Sequence, residues 1–232
     1  MYLFCHIEKC GGTSAHDYLS KKINNYLVLK PHPSHGETFN SDQLKMLAKI
    51  YPKIRGLGGH RLRFNENYCK DFKLFTIFRD PCKRYMSHMN HHLERGIANH
   101  KDEFLQNEYF DNFICKKISG NPSFNEAKKI IIKKDIKVFF LESERILGLR
   151  NVSKNKVNDH DVLENEIINK NDEDIKLYKW ALSYFNENLD DYFKSNATNK
   201  ISKLETFMLQ NIVQRFVHFF CNRNAKKLKR GF

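Results

Sequence analysis

The stretch Tyr2-Leu3-Phe4-Cys5-His6-Ile7-Glu8-Lys9-Cys10-Gly11-Gly12-Thr13-Ser14 decides the fold. The apolar run Tyr2 to Cys5 suits a buried strand, taken here through His6. The glycine-containing segment after it ends the run, and a helix is predicted from Thr13 to Ile23. A strand that ends in Lys-x-Gly-Gly-Thr-Ser and turns into a helix aims backbone N–H groups, hydroxyls and one ammonium at a single point. That is the chemistry of an anion site. The Walker A pattern places its lysine directly after the last glycine. Here Lys9 precedes Gly11 and Gly12 and no lysine follows them, which counts against an ordinary kinase or ATPase.

A second stretch, Leu74-Phe75-Thr76-Ile77-Phe78-Arg79-Asp80-Pro81-Cys82-Lys83-Arg84-Tyr85-Met86-Ser87-His88, repeats the arrangement of strand, polar turn and helix. The strand is predicted over Lys73 to Phe78 and the helix over Cys82 to Arg95, with Pro81 suited to a first helical position. Arg79 offers a planar fork to a phosphate, and Ser87, two helical turns along, adds a hydroxyl from the same side. Singly, Arg79-Asp80 reads as a surface ion pair and Ser87 as a solvated helix position. Together, and in this order after the first loop, they point to a nucleotide.

Both stretches resemble the nucleotide motifs of sulfotransferases that use 3′-phosphoadenosine 5′-phosphosulfate (PAPS), in the branch that includes the heparan sulfate 2-O- and 6-O-sulfotransferases. That family's loop typically reads His-Ile-Pro-Lys-Thr-Gly-Gly-Thr-Ser. The chain matches it at His6, Ile7, Lys9, Gly11, Gly12, Thr13 and Ser14 and departs at Glu8 and Cys10. The resemblance implies that Lys9, Gly11, Gly12, Thr13 and Ser14 hold the 5′-phosphosulfate, with Lys9 also stabilising charge on the bridging oxygen. It assigns Arg79 and Ser87 to the 3′-phosphate. Gly58-Gly59-His60-Arg61-Leu62-Arg63-Phe64 resembles the region where family members place a catalytic histidine, which makes His60 the chosen general base. His32, His35 and Glu8 are the alternatives, and Arg61 and Arg63 are candidates for orienting an anionic acceptor. Weaker resemblances fall on Phe139 to Arg145 and on Asn151 to Lys154, where Lys154 is a candidate nucleotide contact. Another covers Asp174 to Ala181, read as an amphipathic helix with Ile175, Tyr178 and Leu182 inward. Taken together, the resemblance implies a PAPS-dependent enzyme without a metal, acting on an acceptor hydroxyl of a glycan, anionic ones included.

With 232 residues and 41% hydrophobic content, the chain can bury one sizeable core and is expected to form a single domain over 1–232. Residues 1–150 read as a nucleotide-binding α/β core and 151–232 as a helical part of the same domain. Further strands are predicted at Tyr26 to Leu29, Ile54 to Gly58 and Ile136 to Leu141. Further helices are predicted at Asp102 to Ile118, at Phe124 to Lys133, and from a cap at Ser41 or Asp42 through Ile50. The alternation of strands with helices predicts a P-loop-like central parallel sheet flanked by helices, with ligands at the strands' C-terminal ends. No apolar run approaches the roughly twenty residues of a membrane span, and the first strand begins too early for a signal peptide. The expectation is a cytoplasmic enzyme, or a soluble catalytic domain trimmed of an anchor.

The formal charge of +13 requires a reason, since basic chains bind nucleic acids, anionic membranes or acidic polymers. PAPS and an acidic glycan satisfy it without nucleic acid. An atypical nucleotide-dependent kinase and a non-enzymatic polyanion-binding protein remain the rival classes. The segment Gln210 to Phe232, basic and with Phe216, Phe219 and Phe220, reads as a packed helix fraying into a solvated tail, in preference to a peripheral membrane contact. The acid-rich stretch Asp159 to Asp174 reads as a polar linker or helix face. Cysteines 5, 10, 69, 82, 115 and 221 lack metal spacing and read as reduced thiols, in preference to a Cys69–Cys82 disulfide. His88, His91, His92 and His100 read as a solvated helix face before they read as ligands.

Overall fold

The structure is a computed structural model and describes residues 1–29, 40–64, 72–143 and 160–193. Five parallel strands form one sheet in the order β2-β3-β1-β4-β5. They are β1 Tyr2–Cys5, β2 Tyr26–Val28, β3 Gly56–Gly59, β4 Lys73–Phe78 and β5 Lys137–Phe140. The helices are α1 Gly12–Lys22, α2 Ser41–Ile50, α3 Pro81–Glu94, α4 Lys101–Leu105, α5 Phe113–Ser119, α6 Phe124–Lys133, α7 His160–Lys170, α8 Asp172–Tyr184 and α9 Leu189–Phe193. The described part of the chain after β5 is thus helical, and the acid-rich stretch falls largely on α7 and the start of α8. The expected α/β architecture with a parallel sheet is the one observed.

Alternate strand residues feed opposite layers, as the two-residue period of a strand requires. Leu3, Cys5, Leu74, Phe78, Val138 and Phe140 pack with residues of α2, α5, α6 and α8. Tyr2, Phe4, Phe75, Ile77 and Phe139 pack with Ala15, Tyr18 and Leu19 of α1 and with Leu189 and Phe193 of α9. Burial on both faces is what holds parallel strands together and makes these strands apolar throughout. A third apolar group joins Tyr85 and Met89 of α3 to Phe104, Phe110 and Ile167.

The topology opens a crevice. β1 and β4 are neighbours, but the chain leaving β1 goes to β2 on one side of the sheet, and the chain leaving β4 goes to β5 on the other. Such a switch point leaves a gap above the carboxyl ends of the two strands. The Lys9 loop follows β1 and Arg79 follows β4.

Several boundaries differ from the sequence expectation for identifiable reasons. The helix expected over Asp102 to Ile118 is three pieces: α4, a 3-10 turn at Glu108–Phe110, and α5. Asn107 accepts from the Tyr109 N–H at 3.1 Å, and Asn112 takes a left-handed backbone (φ 46°) while its Oδ1 accepts from Glu173 and Asp174 N–H. Short amide side chains thus offer the backbone other partners than a helix. Helix α2 is capped by Asn40, not Ser41 or Asp42, in a reciprocal capping box with Gln43. Strand β3 starts at Gly56 rather than Ile54 because its ladder with β1 begins at Tyr2↔Gly56. Helix α8 turns Asp174, Leu177 and Ala181 inward, and Leu182, expected inside, is 43% exposed.

Candidate functional site

The register of the sheet assembles the site. Cys5 pairs with Gly59, so the next residues, His6 and His60, lie side by side, stacked with ring centroids 3.9 Å apart and planes inclined by 27°. Beyond His6, the chain turns over the end of β1 through two left-handed residues, Lys9 (φ 67°) and Gly11 (φ 73°). A lysine in that region is uncommon and strained, and such strain collects where a loop is shaped for a ligand. Gly12 then begins α1, pressed against His6: a Cβ at this position would overlap the His6 ring well inside van der Waals contact. The first turn of α1 contains no acidic residue and no side chain caps it. Its amide groups and the helix dipole therefore face the crevice as a positive end.

From the neighbouring strand, Arg79 reaches across and donates from Nη1 to the Lys9 carbonyl at 3.3 Å. A guanidinium has five N–H donors, so the rest of the fork is left for another partner. Asp80 caps α3, its Oδ1 accepting from the Lys83 N–H at 2.9 Å, and Pro81 occupies the first helical position. Helix α3 therefore leaves the sheet in a fixed direction along the crevice.

The resulting cleft holds about 550 Å³ and is lined by Lys9, Gly11, Gly12, Thr13, Ser14, His60, Arg79 and Ser87, together with His6, Glu8, His88, His91 and Arg95. The eight residues assigned from the sequence to the nucleotide and to the general base meet in this one space. Among the described residues three cationic side chains line it, and the one carboxylate, Glu8, is held by Lys117 of α5 at 2.7 Å. Burial holds the Lys9 ammonium below its ordinary pKa, with Arg79 and Arg95 acting in the same direction against Glu94.

The histidines divide by environment. His6 Nδ1 lies 3.2 Å from His16 Nε2, and His16 Nδ1 lies 2.8 Å from the Tyr26 hydroxyl, a part-buried chain of polar groups beneath the loop. Burial pushes His6 down to about 2 and His16 down to about 4, with nearby imidazoles adding to the effect, so both are neutral near pH 7. His60 Nδ1 donates to the His6 carbonyl at 3.2 Å. A carbonyl only accepts, so the His60 proton sits on Nδ1 and Nε2 carries the lone pair. Burial lowers His60 also, against the opposing pull of Glu8.

His88 departs from the solvated face expected of it, being 7% exposed. The buried Arg84 donates from Nη1 to His88 Nδ1 at 3.2 Å, and burial with Arg84 pushes the imidazole down to about 3. His91 and Arg95 join the cleft without having stood out in the sequence as site residues. The four-residue spacing Ser87, His91, Arg95, one face of a helix, is the signal that finds them. Arg61 is buried and Arg63 partly so, and neither lines the cleft. His32, His35, Lys154 and the segment Gln210 to Phe232 lie outside the described residues. Cys5, Cys10, Cys82 and Cys115 are free thiols. Among the described residues, no group of three His, Cys, Asp or Glu side chains is placed to hold a metal ion, and no helix is long and apolar enough to cross a membrane.

Chemically, the arrangement can grip two anionic groups from adjacent strand ends and set a neutral imidazole beside them. No family model matches the chain and no curated protein matches it in sequence.

Proposed function

We propose that the protein transfers a sulfuryl group from PAPS to an acceptor hydroxyl, with a glycan as the acceptor class and the reaction run in this cleft. The observation that carries the reading is the meeting of Lys9 and Arg79, seventy positions apart in the chain, in one space at a topological switch point. The open N-terminus of α1 suits the 5′-phosphosulfate, with the Thr13 and Ser14 hydroxyls beside it. Arg79 and Ser87 suit the 3′-phosphate, the group that separates this nucleotide from ordinary adenosine phosphates.

The acceptor oxygen attacks sulfur in line, the bond from sulfur to the bridging phosphate oxygen breaks, and adenosine 3′,5′-bisphosphate (PAP) leaves. His60 Nε2 takes the acceptor's proton, and Lys9 stabilises the charge that grows on the bridging oxygen. As in phosphoryl transfer, most of the acceleration comes from positioning and electrostatics.

The test is a thermal-shift and calorimetric comparison of PAP with ATP plus magnesium. PAP is expected to raise the midpoint of unfolding through binding to the folded state, by more than ATP does at equal concentration. A preference for ATP with magnesium overturns the reading in favour of a kinase. Salt-sensitive binding of heparin or nucleic acid that ignores a Lys9→Ala change overturns it in favour of a polyanion binder.

A further inference from the structure

Glu8 stands between an ammonium and an imidazole. Its Oε1 lies 2.7 Å from Lys117 Nζ and 3.4 Å from His60 Nδ1. The Lys117 side chain is 5% exposed, so its ammonium is fixed by the packing of α5 and not by solvent. A buried ammonium of this kind holds a carboxylate in place, because leaving either partner alone in the interior is expensive. The other carboxylate oxygen, Oε2, is buried and has no hydrogen-bond partner among the described residues. The whole group thus depends on Lys117 and His60 for its compensation.

We propose that Glu8 is a positioning residue for His60, with Lys117 as the anchor that sets the carboxylate where it acts. The inference rests on the sulfuryl-transfer reading for its role in turnover, and on geometry alone for the link between the two side chains. The His6 carbonyl accepts at Nδ1 and the Glu8 carboxylate lies 3.4 Å from the same nitrogen, its charge favouring a proton there, so Nε2 remains the acceptor. When an acceptor O–H bond breaks and the N–H bond forms at Nε2, the ring becomes an imidazolium whose positive charge faces the Glu8 carboxylate. The same carboxylate therefore fixes the tautomer before transfer and stabilises the charge after it, the role of the third group beside a general base.

The other groups facing the His60 ring are His6, which stacks on it, His16 of α1, Lys117 of α5 and Arg63 on its own segment. Glu8 is the one carboxylate among these named groups. Removing it leaves cations and neutral rings, while removing Lys117 leaves the carboxylate unshared. The two changes must move the imidazole in opposite directions, and a purely structural role for the pair predicts no such opposition.

The experiment follows the histidine ring resonances of the full chain by NMR in the wild type, in Glu8→Gln and in Lys117→Met, with His60→Gln to assign the signal. His60 in the wild type is expected as the Nδ1–H tautomer. Glu8→Gln is expected to lower its titration midpoint by roughly one pH unit, and Lys117→Met to raise it by a similar amount. A folded Glu8→Gln protein with an unmoved midpoint overturns the proposal, as does a wild-type ring protonated on Nε2. If Glu8→Gln does not fold, Lys117→Met decides: a rise supports the proposal and an unchanged or lowered midpoint overturns it. Calorimetry of the wild type with PAP is read separately. Failure to bind PAP removes the sulfuryl-transfer reading, while the ring titration still decides the Glu8–His60 link.

Discussion

Gly12 is pinned by its neighbour. With the His6 ring where its Cβ would be, Gly12→Ala must displace either the ring or the start of α1. The expected outcome is at least a tenfold weaker PAP complex by calorimetry, with the helical circular-dichroism signal retained, since a displaced first turn no longer aims its amides. On the proposed reading, Lys9 and Arg79 separate by what they do. Arg79→Ala is expected to weaken PAP binding by roughly 10- to 100-fold, the worth of charge-assisted hydrogen bonds. Lys9→Ala is expected to lower turnover by roughly 10²- to 10³-fold with a smaller effect on PAP affinity, as loss of a group that acts on developing charge. Unchanged PAP affinity in Arg79→Ala contradicts the assignment. These residues are legible in the sequence because two strand-turn-helix motifs occur together and in order; singly, each has a common structural use. The buried roles of His6, His16 and His88 are not, because a histidine looks the same in sequence whether it is solvated or enclosed.

The elements that hold the cleft are fixed less by propensity than by caps. Buried Asp174 of α8 accepts from the Ile114 and Cys115 N–H groups at 2.8 Å each and so caps α5 from another helix. Arg84 is the main cation opposing the effect of burial on that carboxyl. Asp174→Ala is expected to destabilise the protein by about 2–4 kcal/mol in denaturant unfolding, combining a lost cap with an uncompensated buried cation. A change below about 0.5 kcal/mol removes Asp174 from this role. The same cap explains why one helix across Asp102 to Ile118 does not form: the apolar spacing is helical, but the interruptions are set by Asn107, Asn112 and a carboxylate sixty residues away. In contrast β4 and α6 match their expected limits, Lys73–Phe78 and Phe124–Lys133, because both the period and the flanking polar residues lie inside the segment. The glycines of β3 are an ambiguous sign, since glycine weakens strands. In the structure they make room for the Tyr26 ring, which a Cβ at Gly56 or Gly58 would strike.

Across the whole molecule, burial keeps His6, His16 and His88 uncharged, so the native protein resists protons that the unfolded chain accepts. Unfolded histidines titrate near 6.5, and these three are held to about 2, 4 and 3. The unfolded state therefore binds more protons below about pH 6.5, and stability is full above that value and falls as the pH drops toward the folded values. Each imidazole contributes at most about 2 kcal/mol of this loss by pH 5. Melting temperatures are expected to be level from pH 7 to 8 and to decline between pH 6.5 and 5. A flat profile over the acid range contradicts the burial of these rings. The sheet order itself is only partly legible in the sequence: alternation of strands and helices announces a parallel sheet, but which strands become neighbours depends on crossovers that no local pattern encodes. That order has a consequence for selectivity. The two cationic jaws follow the ends of adjacent strands joined by the rungs Tyr2↔Lys73, Leu3↔Leu74 and Phe4↔Phe75, so the ladder fixes the bases from which they reach. On the proposed reading the cleft is a caliper whose arms rise from one base: a ligand with a single anionic end fills one jaw and leaves the other in water, and a molecule of the right length between its two charges closes on both.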